Sequence, residues 1–448
     1  MNLKVIKDGA AHLFVKRCLS PFWYRRRWLQ KTQWLSKERL TRIQLRLLRK
    51  IVEHSYYKVP FYGELMDDLG IKPDDITHLE DIDVFPILKK SDVLKSQESF
   101  VPRNYAHPFL RKARTGGSTG KPVMIYRNWF SIGNEHAFVR RQFDWAGVRL
   151  SDRSAYLSGR VLGNGSSTSK WAYDPFMKEL IFSTYQLTHK TAADYLQVMQ
   201  EYKVKAIVGY PSAIYFLAKC ALDFGSEVKL KACLTTSETI TKSMRMVIAE
   251  AFSCNVFDFY GAAERVCYIH ACEKGSYHII PEYGLTELLP VEGFGENAYK
   301  VIATGFWNHA MPLIRYDTGD VVIKKPSEEK CSCGRAFTTV DSIVGREGDK
   351  VVTPSGQTFG VTILIHLLYV VCGGKDIAET QFVQDEPDHL TVRYVPGNDF
   401  SPSNFREVQQ KFKSHLPEDI RIDFVRFEAV PRTESGKLKR VVSYLNEE

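Results

Sequence analysis

The chain reads as an α/β protein, with a large multi-layered N-terminal domain followed by a small α+β C-terminal domain. Three observations predict this. Short β-rich apolar runs alternate with helical patterns from residue 111 to about 340. A charged, glycine-punctuated stretch, GREGDK, interrupts the pattern at 345–350. The last hundred residues then follow a shorter strand–helix scheme of their own.

The elements follow in order. Residues 1–110 read as mainly helical. In LTRIQLRLLRKIV (40–52), Ile43, Leu47 and Ile51 share one face and basic residues take the others. VMIY (123–126), AIVGY (206–210) and VFDFY (256–260) read as strands, with helices around 191–202, 212–223 and 241–252. Beyond the punctuation come a strand, a helix (362–371), strands (378–384 and 389–395), a helix (402–415) and a strand (420–427). The boundary places residues 1–345 in the large domain and 346–448 in the small one.

Composition narrows the class of protein. The 448 residues are 44% hydrophobic and 25% charged, which excludes disordered and fibrous chains. No signal-peptide pattern opens the sequence. The longest apolar stretch, Val361 to Cys372, contains His366 and is too short to span a bilayer. Nine scattered cysteines suit a reducing compartment, so a cytoplasmic location is expected, without an integral membrane segment. Much of the net charge of +9 lies early, in PFWYRRRWLQK (21–31) and in Arg42, Arg46, Arg49 and Lys50. That segment is either a solvated helical face or a basic-aromatic surface for peripheral contact with anionic lipid or another acidic partner. Nucleic acid is not expected, because the remaining charges are mixed in sign.

Thr115-Gly116-Gly117-Ser118-Thr119-Gly120-Lys121-Pro122 gathers three glycines, three hydroxyls and a lysine. Glycines let the backbone approach an anion, while amides, hydroxyls and an ammonium hold its oxygens. A Walker loop fails here, because Thr115 replaces its first glycine and Pro122 its magnesium-binding hydroxyl. The strand-like VMIY that follows cannot open the helix such a loop requires. A strand–loop–strand phosphate binder is expected; a Gly/Ser surface turn is the alternative.

RTGGSTGKP resembles the signature loop of the adenylate-forming enzymes, the superfamily of acyl–coenzyme A ligases, adenylation domains and luciferases. Four further motifs stand in that family's order. In Phe259-Tyr260-Gly261-Ala262-Ala263-Glu264, the carboxylate can hold Mg²⁺ against phosphate oxygens and the aromatic can stack on a base. Ala263 stands where many relatives carry Thr. Upstream, Ser237 and Glu238 match in position the segment that lines the adenine in relatives. In Arg315-Tyr316-Asp317-Thr318-Gly319-Asp320, Asp320 can accept hydrogen bonds from ribose hydroxyls, as the family's aspartate does. In Gly345-Arg346-Glu347-Gly348-Asp349 the resemblance implies a hinge at Asp349, with Arg346 near the ribose. PRTESGKLKR (431–440) is similar to the family's lysine loop, which implies that Lys437 bridges the substrate carboxylate and the α-phosphate.

Cys331-Ser332-Cys333-Gly334 puts two thiols within reach of one ion, and Cys272 with His278 forms a C-x₅-H pair. Together they would make a closed Cys₃His site, the structural zinc pattern. Cys267 and His270 are rival ligands, and free buried cysteines are the alternative. ACEKGSYHIIPEYGLTELL followed by CSCGR resembles the phenylacetate–coenzyme A ligase-like branch, especially the CapK-like members encoded with capsular polysaccharide genes. The resemblance implies a ligase that uses ATP and Mg²⁺ to convert a small-molecule carboxylate into an acyl-adenylate. Transfer to a thiol, coenzyme A, would follow as the small domain turns and withdraws Lys437. The alternative is transfer of the acyl or AMP group to an amine or hydroxyl in polysaccharide or secondary metabolism.

Overall fold

The computed structural model describes residues 21–103, 110–114, 123–158, 170–292, 294, 296–325, 330–346, 350–355, 358–374, 376–397, 400–433 and 437–445. The N-terminal region is helical, with α1 (Phe22–Thr32), α2 (Lys37–Lys58), α3 (Pro60–Asp68) and α4 (Lys90–Lys95). A hairpin of β1 (Arg111–Arg114) and β2 (Met124–Arg127) follows, then α5 (Trp129–Trp145).

Next come β3 (Ser154–Ser158), β4 (Trp171–Asp174), β5 (Glu179–Ser183), α6 (His189–Glu201) and β6 (Ala206–Gly209). They lead into α7 (Pro211–Asp223), β7 (Ala232–Thr236), α8 (Lys242–Phe252) and β8 (Asn255–Gly261). An antiparallel run then adds β9 (Tyr268–Ala271), β10 (Tyr277–Ile279) and β11 (Gly284–Pro290). It closes with β12 (Ala298–Gly305), β13 (Tyr316–Lys324) and β14 (Thr339–Arg346).

These strands form one twelve-stranded sheet in the order β11-β12-β13-β14-β10-β9-β8-β7-β6-β3-β5-β4. Strands β5, β3, β6, β7 and β8 run parallel. From β9 onward every pairing is antiparallel. Parallel strands are covered on both faces and so read as unbroken apolar runs. AIVG of β6 is buried throughout. Helices α6 to α8 cover one face with Leu196, Leu217 and Ile248, while Phe143 and Val148 cover the other against Leu234 and Phe257.

Local chemistry sets where the helices begin. Asn128 caps α5 by accepting from Ser131 N at 2.8 Å, and Thr241 caps α8 by accepting from Met244 N at 3.2 Å. Pro211 sits at the first position of α7, where a missing N–H costs nothing.

The C-terminal residues form a separate domain. It contains β15 (Lys350–Val352), β16 (Thr358–Gly360), α9 (Val361–His366), β17 (Ile377–Glu386) and β18 (His389–Pro396). α10 (Pro402–Ser414), β19 (Arg421–Arg426) and β20 (Val441–Ser443) complete it. Its four-stranded sheet runs β19-β18-β17-β20. The helix expected over 362–371 is α-helical only to His366; Leu367–Val371 widens into a π turn, with Cys372 N donating to Leu367 O at 2.9 Å. Val321 and Val344 of the large sheet join the core formed by Leu364, Phe382, Val392 and Phe412.

Candidate functional site

Three loops leave the C-terminal ends of adjacent parallel strands. Tyr210 follows β6, Ser237 and Glu238 follow β7, and Ala262 to Glu264 follow β8. In open α/β sheets the crevice outside these ends is where ligands bind. Ser237 has φ 70°, a left-handed backbone that costs a non-glycine residue about 1 kcal/mol. Such strain persists only where the surroundings impose it.

Strand β13 brings a second set of groups to the crevice. Tyr260 donates its hydroxyl to Asp320 Oδ2 at 2.6 Å, and Tyr316 donates to Glu264 Oε1 at 3.3 Å. Burial and the neighbouring Asp320 carboxylate push the Tyr260 phenol well up, so it remains a donor. A bonded turn presents Asp320. Asp317 Oδ1 accepts from Gly319 N at 2.9 Å, and Thr318 Oγ1 accepts from Asp320 N at 3.1 Å while donating to Val301 O at 2.9 Å. Strand pairing sets Asp320 opposite Arg346 of β14. Gly261 tolerates no side chain, since a Cβ there would lie 2.7 Å from the Tyr268 ring.

The C-terminal domain supplies the third set. Arg432 bridges to Leu438, Thr433 N donates to Lys437 O at 3.0 Å, and Lys437 N donates to Thr433 Oγ1 at 3.1 Å. This turn projects onto the large sheet. Lys437 Nζ lies 5.8 Å from the centre of the Tyr210 ring. Leu438 N donates to Glu238 Oε1 at 2.8 Å, and Ser212 N donates to Glu238 Oε2 at 3.1 Å. Arg432 donates to Ser212 Oγ at 3.4 Å and pairs with Glu379.

Tyr260, Gly261, Ala262, Glu264, Asp320, Ser237, Glu238 and Lys437 therefore come from three segments of the large domain and one of the small domain to border one crevice. Thr115, Gly116, Ser118, Thr119, Gly120 and Lys121 lie outside the described residues, as does Asp349. Their flanks are described: Arg114 pairs with Met124 across the mouth of the glycine-rich loop. Trp145 lies apart from this crevice. Its ring packs against His270, His278 and Phe337, at the end of a helix that also packs on α1.

Sequence reasoning missed a basic pair beneath Glu264. Arg127 donates to the Ala263 carbonyl, and Arg265, at φ 65°, pairs with Glu135. Burial, then repulsion from Arg265, pulls the Arg127 guanidinium down to about 10. Arg265 directly follows the Tyr-Gly-x-x-Glu motif, which was the available signal. Arg127 gave none beyond its place after a strand.

The Cys/His cluster forms a second centre. Cys272 Sγ lies 3.7 Å from Cys331 Sγ, and Cys333 Sγ lies 3.4 Å from His278 Nε2. One ligand atom from each of the four residues falls within 4.8 Å of the others. Two turns build it, with Gly275 at φ 77° and Gly334 at φ 82°, conformations that suit glycine. The rival ligands point elsewhere. Cys267 Sγ contacts Thr286 Oγ1 at 3.3 Å, and the His270 ring is enclosed by Trp145, Phe259 and Tyr268.

The donor spacing fits zinc. A tetrahedral ion with metal–sulfur bonds of ~2.3 Å holds two sulfurs ~3.8 Å apart, whereas a disulfide needs ~2.05 Å. Arg335, two residues after Cys333, ties the cluster to its surroundings. It binds Glu273 at 3.0 and 2.9 Å and Gln33 at 3.1 Å, and its guanidinium lies 4.8 Å from the Trp34 ring centre and 4.0 Å from that of Trp145.

Residues 351–444 match the family model described as the CapK C-terminal domain. Protein CapK of Staphylococcus aureus is 25% identical over 389 residues, which span 86% of this chain and 84% of that protein. Phenylacetate-coenzyme A ligase of Thermus thermophilus is 24% identical over 442 residues, 91% of this chain and 97% of that protein. Among solved structures, 2-hydroxyisobutyryl-CoA ligase in the postadenylation state superposes with a TM-score of 0.71 at 18% identity, covering 93% of this chain and 92% of that one. The same ligase in the thioesterification state gives 0.56, covering 92% and 91%.

Proposed function

For a chain that resembles CapK and the phenylacetate–coenzyme A ligases, with the fold of the adenylate-forming ligases, we propose ATP-dependent activation of a carboxylic acid followed by transfer to a thiol, coenzyme A. One observation carries this reading. Lys437, from the far end of the chain, is held at the parallel-strand crevice that Tyr260, Glu264 and Asp320 also border.

In the first step a carboxylate oxygen attacks the α-phosphorus of ATP. The new O–P bond forms as the bond to pyrophosphate breaks. Anion approaches anion, so the protein must supply positive charge. Lys437 places an ammonium between the two reactants, and the glycine-rich loop with Lys121 holds the phosphates. Asp320, released from Tyr260, accepts the ribose hydroxyls, and the freed Tyr260 ring takes the base with Ser237 and Glu238. Arg346 stands across from Asp320 on the ribose side. Glu264 is a single carboxylate positioned by Tyr316, which suits Mg²⁺ held mostly by phosphate oxygens; when bound, the ion neutralises phosphate charge. In the second step a thiolate attacks the acyl carbon and AMP leaves, after a turn at Asp349 has withdrawn Lys437. The higher similarity to the postadenylation than to the thioesterification form of the hydroxyisobutyryl ligase supports reading this arrangement as the first-step geometry.

The test is product analysis with ATP, Mg²⁺ and a panel of aryl, fatty, amino and hydroxy acids, with and without coenzyme A. Acid-dependent pyrophosphate release with an acyl-thioester product is expected. Pyrophosphate release that ignores coenzyme A but requires an amine or hydroxyl acceptor would move the second step to a transferase.

Two further parts belong to this reading. Cys272, His278, Cys331 and Cys333 hold a structural zinc, which crosslinks two turns and supplies no chemistry to the crevice. Helix α1 has no acidic residue and exposes Trp23 and Tyr24 at 48% and 70%, with Arg27 and Lys31 on the same side, and Trp34 just past its end is 57% exposed. That combination supports peripheral contact with anionic lipid headgroups. Among the described residues, no helix is long and apolar enough to cross a membrane.

A further inference from the structure

Glu238 does more than border the crevice. Each carboxylate oxygen has a different backbone partner, and the two partners belong to different domains. Oε2 accepts from Ser212 N, in the first turn of the thirteen-residue helix α7. The helix begins at Pro211 without a side-chain cap from Tyr210, so Glu238 supplies from the loop after β7 the acceptor that its own N-terminus lacks. Oε1 accepts from Leu438 N, the residue directly after Lys437. The side chain is half-buried, so water competes only partly for it.

We propose that Glu238 is the latch that holds the Lys437 turn over the crevice: one oxygen anchored on α7, the other gripping the small domain by the amide of Leu438. The inference rests on the activation reading above and assigns Glu238 a positioning role within it. The grip is on a main-chain N–H, so it fixes the path of the turn. Arg432 adds a second contact to the same anchor through Ser212 Oγ. Release for the second step therefore breaks the Leu438 bond and leaves the α7 bond in place. The carboxylate stays oriented for the turn's return.

The roles of the two oxygens separate by side-chain length. Glu238→Asp keeps the charge near α7 but draws it back by one methylene from Leu438. Glu238→Gln keeps the reach but removes the charge that strengthens both bonds. Hydrogen–deuterium exchange on the full chain reads the latch without any substrate. Amides of 437–445 should exchange about tenfold or more faster in the Asp variant, the loss expected for a bond to a charged acceptor. Amides of 211–223 should keep their protection. The Gln variant should fall between wild type and Asp.

A second readout uses the acid that supports wild-type pyrophosphate exchange. Both variants should slow exchange, the Asp variant more than the Gln variant. Unchanged 437–445 amides in Glu238→Asp, with α7 still protected, would overturn the latch whatever the chemistry. Amide exchange that rises at 211–223 but not at 437–445 in Glu238→Asp would overturn it as well. If no acid supports exchange in the wild type, the activation reading falls instead, and the amide measurement alone decides the latch.

Discussion

The crevice and the Cys/His cluster are built by opposite rules. At the crevice, groups from residues 210 to 438 meet through individual hydrogen bonds, including the one across the domain boundary from Leu438 to Glu238, and most of these groups are only half-buried. At the cluster, two short turns bring four ligand atoms within 4.8 Å, locked from outside by Arg335. A site that must admit substrate and change partners cannot be closed. A site that only staples the fold gains by being closed. The difference teaches where change should be felt: reaction rates should report the crevice, and stability should report the cluster.

The largest effect expected is at the crevice. Lys437→Ala should slow adenylation by about 10²–10³, the loss typical of removing one electrostatic stabiliser, and spare thioester formation from preformed acyl-adenylate. Pyrophosphate exchange and single-turnover thioester assays measure the two steps. Equal losses in both would erase the distinction between a transient and a fixed contact. At the cluster the same logic reverses. Cys331→Ser should strip bound zinc and lower the melting temperature, by roughly 2–4 °C for each kcal/mol lost. Metal analysis beside calorimetry checks this, and a metal-free wild type with an unchanged melting point would break that side of the comparison.

Stability also has a pH dependence that belongs to neither region. Burial, reinforced by the charges of His54 and Lys50, holds the His309 imidazole down at about 4. Unfolded, it titrates near 6.5. Between those values the unfolded chain binds the additional proton, so stability should fall as pH drops from about 6.5 to about 4, by up to about 3 kcal/mol. Urea melts across that window, repeated on His309→Asn, isolate the contribution. A slope unchanged in the variant would reassign the effect to the cluster. The smallest effect concerns helix α1, which Arg335 and Gln33 tie to the cluster. Arg27→Glu with Lys31→Glu should weaken sedimentation with phosphatidylglycerol vesicles, by ~1 kcal/mol per charge, and leave binding to phosphatidylcholine vesicles unaltered.

Legibility in the sequence followed the range of the interactions. Parallel strands such as AIVG announced themselves by unbroken apolar runs, and helices α6 to α8 fell within two residues of their expected bounds. The antiparallel order of β9 to β14 was not readable, since β10 pairs with β14 across more than fifty intervening residues. The Cys272/His278 and Cys331/Cys333 pairs were visible as local spacings. That they face one another depends on the same β10–β14 pairing, which left Cys267 and His270 as rivals. Tyr260 and Asp320 were found through short motifs, but their mutual bond was not. The grip of Glu238 on Leu438 joins residues 200 positions apart through a backbone amide, which no side-chain pattern encodes.

The central claim is that these distant segments converge on a nucleotide. A crystal structure of the full chain with AMP and Mg²⁺ tests it most directly. The account predicts ribose hydroxyls on the Asp320 carboxylate, the base against Tyr260, and the Tyr260–Asp320 bond broken to make room. AMP bound elsewhere, with that bond intact, would contradict it.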